Sequence, residues 1–132
     1  MIRTRELHKG YRTEFGNETV QAVGDMPVDK GGDGAGFRPH ELLEGALATC
    51  LSMTVRIAAE KYGYPLADVT VSVSVDRGTP GQVFMDYKID LAGDLTPQQR
   101  EHLLRAAAHC PVGQTLAATP RLRLTPPRAA CA

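Results

Sequence analysis

The chain has 132 residues, a length that suits one domain spanning 1–132, and its 42% hydrophobic and 23% charged residues are ordinary for a globular protein. Fifteen basic residues offset fifteen acidic ones, so no global field draws the chain to nucleic acid or to an anionic membrane. Tryptophan is absent and aromatics make up 5%, which argues against a base-stacking surface.

In chain order, residues 2–24 predict a β-ribbon turning at Phe15-Gly16-Asn17-Glu18, because Gly and Asn tolerate positive φ. The glycine-rich stretch 25–36 predicts a loop. Pro39 suits the first position of a helix that runs to Tyr62, where Gly63 stops it and Pro65 prevents resumption. From Gly45 to Met53 that helix carries no charge, so it is expected to be buried, at the heart of the domain or of a dimer. No apolar stretch is read as approaching a membrane span.

Val69, Val71, Val73 and Val75 alternate with polar residues, as do Val83, Met85, Tyr87, Ile89 and Leu91. The intervening 77–82 turn predicts an antiparallel hairpin with one dry and one wet face. Thr96, Pro97 and Gln99 form a capping box for a second helix continuing to about His109. A short helix is expected over Pro111–Leu116, and Leu122 and Leu124, alternating with Arg121 and Arg123, predict a last strand before Pro126-Pro127.

The charged segment Met1–Glu6 lacks the apolar core of a signal peptide, so the expected compartment is the cytoplasm. There Cys50, Cys110 and Cys131 would be reduced at rest, and a disulfide among them would be catalytic or redox-sensing. By composition alone Cys50, mid-helix, reads as a small core hydrophobe, and a thiolate there would need a nearby cation. Cys110 precedes Pro111, so it reads either as an N-cap whose free N–H groups favour thiolate or as the small residue that ends the second helix. Cys131 is expected to be exposed and incidental. Glu41 and Glu44 both sit where the helix dipole stabilises carboxylates, Arg56 points away from Cys50, and His40 and His109 flank the two cysteine regions. No His/Cys pair has helical ligand spacing, so no metal site is expected.

The segment Pro39-His40-Glu41-Leu42-Leu43-Glu44-Gly45-Ala46-Leu47-Ala48-Thr49-Cys50 resembles the signature helix of the OsmC/Ohr family. His109-Cys110-Pro111-Val112 resembles that family's second cysteine segment, and the order of elements agrees. The resemblance implies an α+β OsmC-like fold with antiparallel sheets on a long central helix, assembled as an intertwined homodimer. It implies a thiol peroxidase for organic hydroperoxides in oxidative-stress defence, with Cys50 peroxidatic, Cys110 resolving, no cofactor, and a dithiol reductant such as a lipoyl protein. An apolar substrate would be favoured by Leu47, Leu51, Met53 and Thr54 around Cys50. In the hydroperoxide-resistance branch a glutamate ten residues before the reactive cysteine pairs with a ribbon arginine. Here position 40 is His, so the implied orienting carboxylate is Glu41, with Arg12 or Arg38 as its candidate partner. The alternatives are a non-catalytic relative that binds a small apolar ligand and a slow redox sensor.

Overall fold

The computed structural model describes residues 1–125. Three short antiparallel strands open the chain: β1 (Arg3–Glu6), β2 (Thr13–Gly16) and β3 (Gln21–Gly24). The ribbon therefore has one more strand than its weak pattern suggests, because a turn at 7–12 folds β1 back onto β2. The second turn also lies later than expected, with Gly16 still paired to Gln21. Asn17 decides this position, since its side-chain Oδ1 accepts from the backbone N–H groups of Thr19 and Val20 at 2.8 Å each.

Helix α1 (Pro39–Tyr62) starts at a proline and ends at Gly63, whose φ of 64° is the left-handed conformation of a helix terminator. The hairpin β4 (Leu66–Asp76) and β5 (Phe84–Gly93) follows, with Val71 opposite Ile89, Val73 opposite Tyr87 and Val75 opposite Met85. Val69, Val71, Val73 and Val75 are half-buried while Thr70, Ser72, Ser74 and Asp76 are exposed, the period-2 pattern of a sheet with one wet face. Thr96 caps α2 (Pro97–Ala107) through a capping box with Gln99, and α3 (Pro111–Ala117) follows directly.

The core forms where α1 meets β4, α2 and α3. Leu51, Val55 and Leu103 are its largest fully buried aliphatic side chains. Glu44 adds a polar clasp that its position in the helix did not foretell: its Oε1 accepts from the Val75 N–H at 3.0 Å, tying the start of α1 to the end of β4.

Two expectations need correction. Helix α1 is, by length and composition, long and apolar enough to cross a bilayer, contrary to the reading that no stretch is. Leu47, Leu51, Val55, Ala58 and Ala59 are nevertheless buried against the rest of the chain, while Met53 and Ile57 on another face are 63% and 64% exposed. Burial of the helix within one chain is thus one-sided. The expected strand at Leu122 and Leu124 does not form; both side chains are almost fully exposed and join neither sheet. Alternation sets which side chains could face a core, but a strand also needs an edge to pair with. Cys131 and Pro126-Pro127 lie outside the described residues.

Replacing Leu103 by Ala would leave a cavity in this small core. The expected cost is about 2–5 kcal/mol, read as a lower urea midpoint at unchanged slope. A loss below about 1 kcal/mol would mean that α2 does not seal the core as described.

Candidate functional site

Cys110 occupies the joint between α2 and α3. Its backbone is extended (φ −63°, ψ 139°), Pro111 holds the first helical position, and the Cys110 Sγ accepts from the Gly113 N–H at 3.3 Å. It is therefore the N-cap of α3, with a side chain only 2% exposed. The next donor of the same helix end, the Val112 N–H, reaches across to the Cys50 Sγ at 3.5 Å. Two sulfurs 60 residues apart in sequence thus share the free N–H groups of one helix start.

Gly113 makes room for this contact. A Cβ there would stand 3.0 Å from the Cys110 sulfur, close enough that the thiol would have to give way slightly, and in ordinary contact at 3.6 Å with a Leu47 methyl. The sequence signal for it was a glycine in the first turn of a short helix, costly there unless something approaches closely.

Cys110 is thus the N-cap that one of its two sequence readings gave, but burial opposes the thiolate that the helix end favours. Burial pushes its pKa above the ordinary thiol value of 9.0; the Gly113 N–H opposes the rise, and the neighbouring Cys50 thiol adds to it. The two thiols are close enough for one to bear on the other's proton.

The other candidates are engaged elsewhere. Glu41 closes a capping box with Arg38, accepting the Arg38 N–H at 2.8 Å and its Nε–H at 2.9 Å. The Arg38 backbone N–H, then its guanidinium, hold the Glu41 carboxyl below its usual range. Arg38, not Arg12, is thus the partner of Glu41, and it comes from the helix start rather than the ribbon. Arg12 lies against the 25–35 loop, 3.0 Å from Asp33, beside a buried Asp25 that accepts backbone N–H groups of Met26, Asp33 and Ala35. Arg56 donates to the carbonyls of Leu66 and Ala67, and His109 Nδ1 pairs with the Arg105 carbonyl. None of these arginines is spent on Cys50 within one chain.

A cavity of about 510 Å³ opens beside Cys110, bounded by α1, the hairpin and α3. Leu47 and Leu51 line it as expected, whereas Met53, exposed on another face of α1, and Thr54, almost a turn beyond Leu51, do not. His40 and Arg77 lie at its wall, and Cys110 rather than Cys50 faces into it.

A family model described as OsmC-like protein matches residues 31–125. The chain belongs to the OsmC-like protein family. Its fold agrees with solved OsmC/Ohr structures. An osmotic stress induced and detoxification response protein from Psychrobacter arcticus superposes with a TM-score of 0.74 at 24% identity, covering 86% of this chain and 85% of that one. An OsmC-like protein from Mycoplasma pneumoniae gives 0.74 at 16%, covering 90% and 87%. An organic hydroperoxide resistance protein from Legionella pneumophila gives 0.64 at 21%, covering 88% and 87%. At these identities the likeness is one of fold. A search of curated proteins returns no match.

In a Cys50→Ser variant, the pH profile of Cys110 alkylation should have its midpoint above 9.0, since burial remains when the neighbouring thiol is gone. The folded-state pKa is raised, so any stability Cys110 contributes is present below the unfolded thiol pKa and declines as pH rises beyond it. A midpoint below the ordinary thiol value would mean that the helix end outweighs burial.

Proposed function

We propose that this OsmC-like chain is a thiol-dependent peroxidase for organic hydroperoxides, acting as a homodimer with Cys50 as the attacking and Cys110 as the resolving thiol. The observation that carries the reading is the joint hold of the α3 amino end on both sulfurs. The raised pKa of Cys110 supports the division of roles. A thiol that keeps its proton is a poor first nucleophile, yet it serves well as the group that supplies a proton and then a sulfur.

The cycle balances as follows. The Cys50 thiolate attacks one peroxide oxygen; the S–O bond forms, the O–O bond breaks, and the departing alkoxide takes a proton to leave as alcohol. Cys50 is then a sulfenic acid. The Cys110 sulfur attacks it, the S–S bond forms, and the hydroxyl leaves as water with the Cys110 proton. An external dithiol, such as a dihydrolipoyl group, reduces the disulfide by exchange and is itself oxidised. A helix-end N–H at the Cys50 sulfur stabilises the thiolate more than the thiol, because the bond strengthens when its acceptor is charged. Glu41 is paired with Arg38 at the start of α1 rather than with the Cys50 sulfur.

Dimerisation is supported by what one chain leaves uncovered. Ala46, Thr49, Met53 and Ile57 form an exposed stripe along α1, and the three-stranded ribbon is joined to the remainder through the Gly24–Phe37 bridge. Light scattering at micromolar concentration should give twice the 14.2 kDa chain mass; a monomer mass would contradict this part of the proposal.

The two thiols should fail differently when replaced. With cumene hydroperoxide and a dithiol reductant, Cys50→Ser should consume no peroxide. Cys110→Ser should react once, then stop as a sulfenic acid that a dimedone-type reagent captures at Cys50. Capture at Cys110 in the Cys50→Ser variant would reverse the assignment, and full turnover by both variants would remove the peroxidase reading.

A further inference from the structure

A second cluster of titratable side chains lies away from the thiols, where the end of α1 meets α2. Tyr64 follows the Gly63 terminator and precedes Pro65, and its backbone N–H returns to the Ala59 carbonyl at 2.8 Å. That turn leaves the ring against α2, where the Tyr64 hydroxyl meets His102 Nδ1 at 2.8 Å. His102 is half-buried and adjoins the fully buried Leu103. Tyr62 completes the cluster: its ring meets the His102 ring in an edge arrangement, centroids 4.6 Å apart, and stacks on Tyr64 at 5.7 Å. Tyr62 is 50% exposed, so the cluster opens to solvent through it.

Two features set Tyr64 apart from Tyr11, Tyr62 and Tyr87. Its hydroxyl alone of the four is bonded to a side-chain base among the described residues. A phenol that keeps its proton resists oxidation, because electron loss would leave a strongly acidic cation. A neutral imidazole at hydrogen-bond distance takes that proton as the electron leaves. The second feature concerns Lys61, whose Nζ lies 5.3 Å from the Tyr62 ring centroid. A cation over a ring is attracted by its electrons, so it opposes the removal of one from Tyr62. In the stacked pair the oxidised ring is therefore Tyr64, and exposed Tyr62 gives it contact with the solution.

From this geometry we infer that Tyr64 and His102 form a one-electron donor site that reduces organic peroxyl radicals to hydroperoxides. The step uses neutral His102 with its proton on Nε2, so that the Tyr64 hydroxyl donates to Nδ1. Tyr64 loses one electron, its O–H bond breaks, and the proton passes to Nδ1, leaving a neutral phenoxyl radical and an imidazolium. The peroxyl radical gains the electron and a proton from water, leaving as the hydroperoxide, and the imidazolium proton restores the water. A one-electron reductant of the ascorbate class then returns an electron and a proton to the phenoxyl oxygen. The site uses no cysteine. Only the choice of peroxyl radicals as oxidant rests on the peroxidase reading, since the product is the substrate proposed above.

The test exposes the full chain to peroxyl radicals from an azo initiator in oxygenated buffer and follows the tyrosyl signal by rapid-freeze electron paramagnetic resonance. Wild type should give a tyrosyl signal, and Tyr64→Phe, which keeps the stacked ring, should lose most of it. Tyr11→Phe, Tyr62→Phe and Tyr87→Phe should each retain it. His102→Gln keeps a hydrogen-bond acceptor but no base, and should slow the initial rate of the signal by about tenfold. If His102→Gln does not fold, Tyr64→Phe, which removes a single oxygen, decides alone. No tyrosyl signal in the wild type, an undiminished signal in Tyr64→Phe, or a wild-type rate in folded His102→Gln would overturn the inference. A signal that depends on Tyr64 and His102 in a chain that consumes no hydroperoxide would instead sink the peroxidase proposal alone.

Discussion

A helix must find acceptors for the N–H groups of its first turn, and α3 finds two of them in sulfur. Pro111 has no N–H to satisfy, so the donors left near the start are Val112 and Gly113, and each points at a different cysteine. Thiols are weak acceptors, so the neutral arrangement gains little; the bonds strengthen once a sulfur carries charge. Much of the remaining structure serves to hold this contact. Leu47 on α1 packs close to Gly113, the absence of a Cβ at Gly113 lets the Cys110 sulfur sit against the helix end, and the Glu44 clasp fixes α1 against the hairpin. Cys110, itself 2% exposed, belongs to the hydrophobic core that α1, α2 and β4 build.

Burial, rather than residue type, distinguishes the two thiols of this site. The same helix end serves both cysteines, but Cys110 is sealed in the core and pays for desolvation of its charge, whereas Cys50 is only half-buried.

The parts of the fold that were legible in the sequence were those whose signal is local. Pro39 and Gly63 bound α1, the capping box at Thr96 starts α2, and valine alternation sets the dry face of β4, because each rule involves residues within a few positions of one another. The four-residue strands of the ribbon carry too few positions for alternation to register, and His8, Lys9, Gly10 and Arg12 in the turn at 7–12 also suit a loop. The false strand at Leu122 and Leu124 had the local pattern and lacked the partner edge. Cys50 and Cys110 could be singled out by resemblance, but their meeting at α3 depends on tertiary packing. The same holds for the Glu44 clasp and for Arg77, a turn residue by sequence that the hairpin carries to a cavity wall. The arginine question shows the limit most clearly: Arg12 and Arg38 were equal candidates by position, and only the structure separates a loop organiser from the partner of Glu41.

The central claim is that the two cysteines held by α3 form one redox unit. It is tested most directly by treating the reduced wild-type chain with one equivalent of an organic hydroperoxide and mapping its cysteines by mass spectrometry. The account predicts a loss of two hydrogens per chain and a single disulfide-linked peptide joining Cys50 to Cys110, with Cys131 still alkylatable. A disulfide that includes Cys131, or oxidation that leaves Cys50 and Cys110 both free, would contradict it.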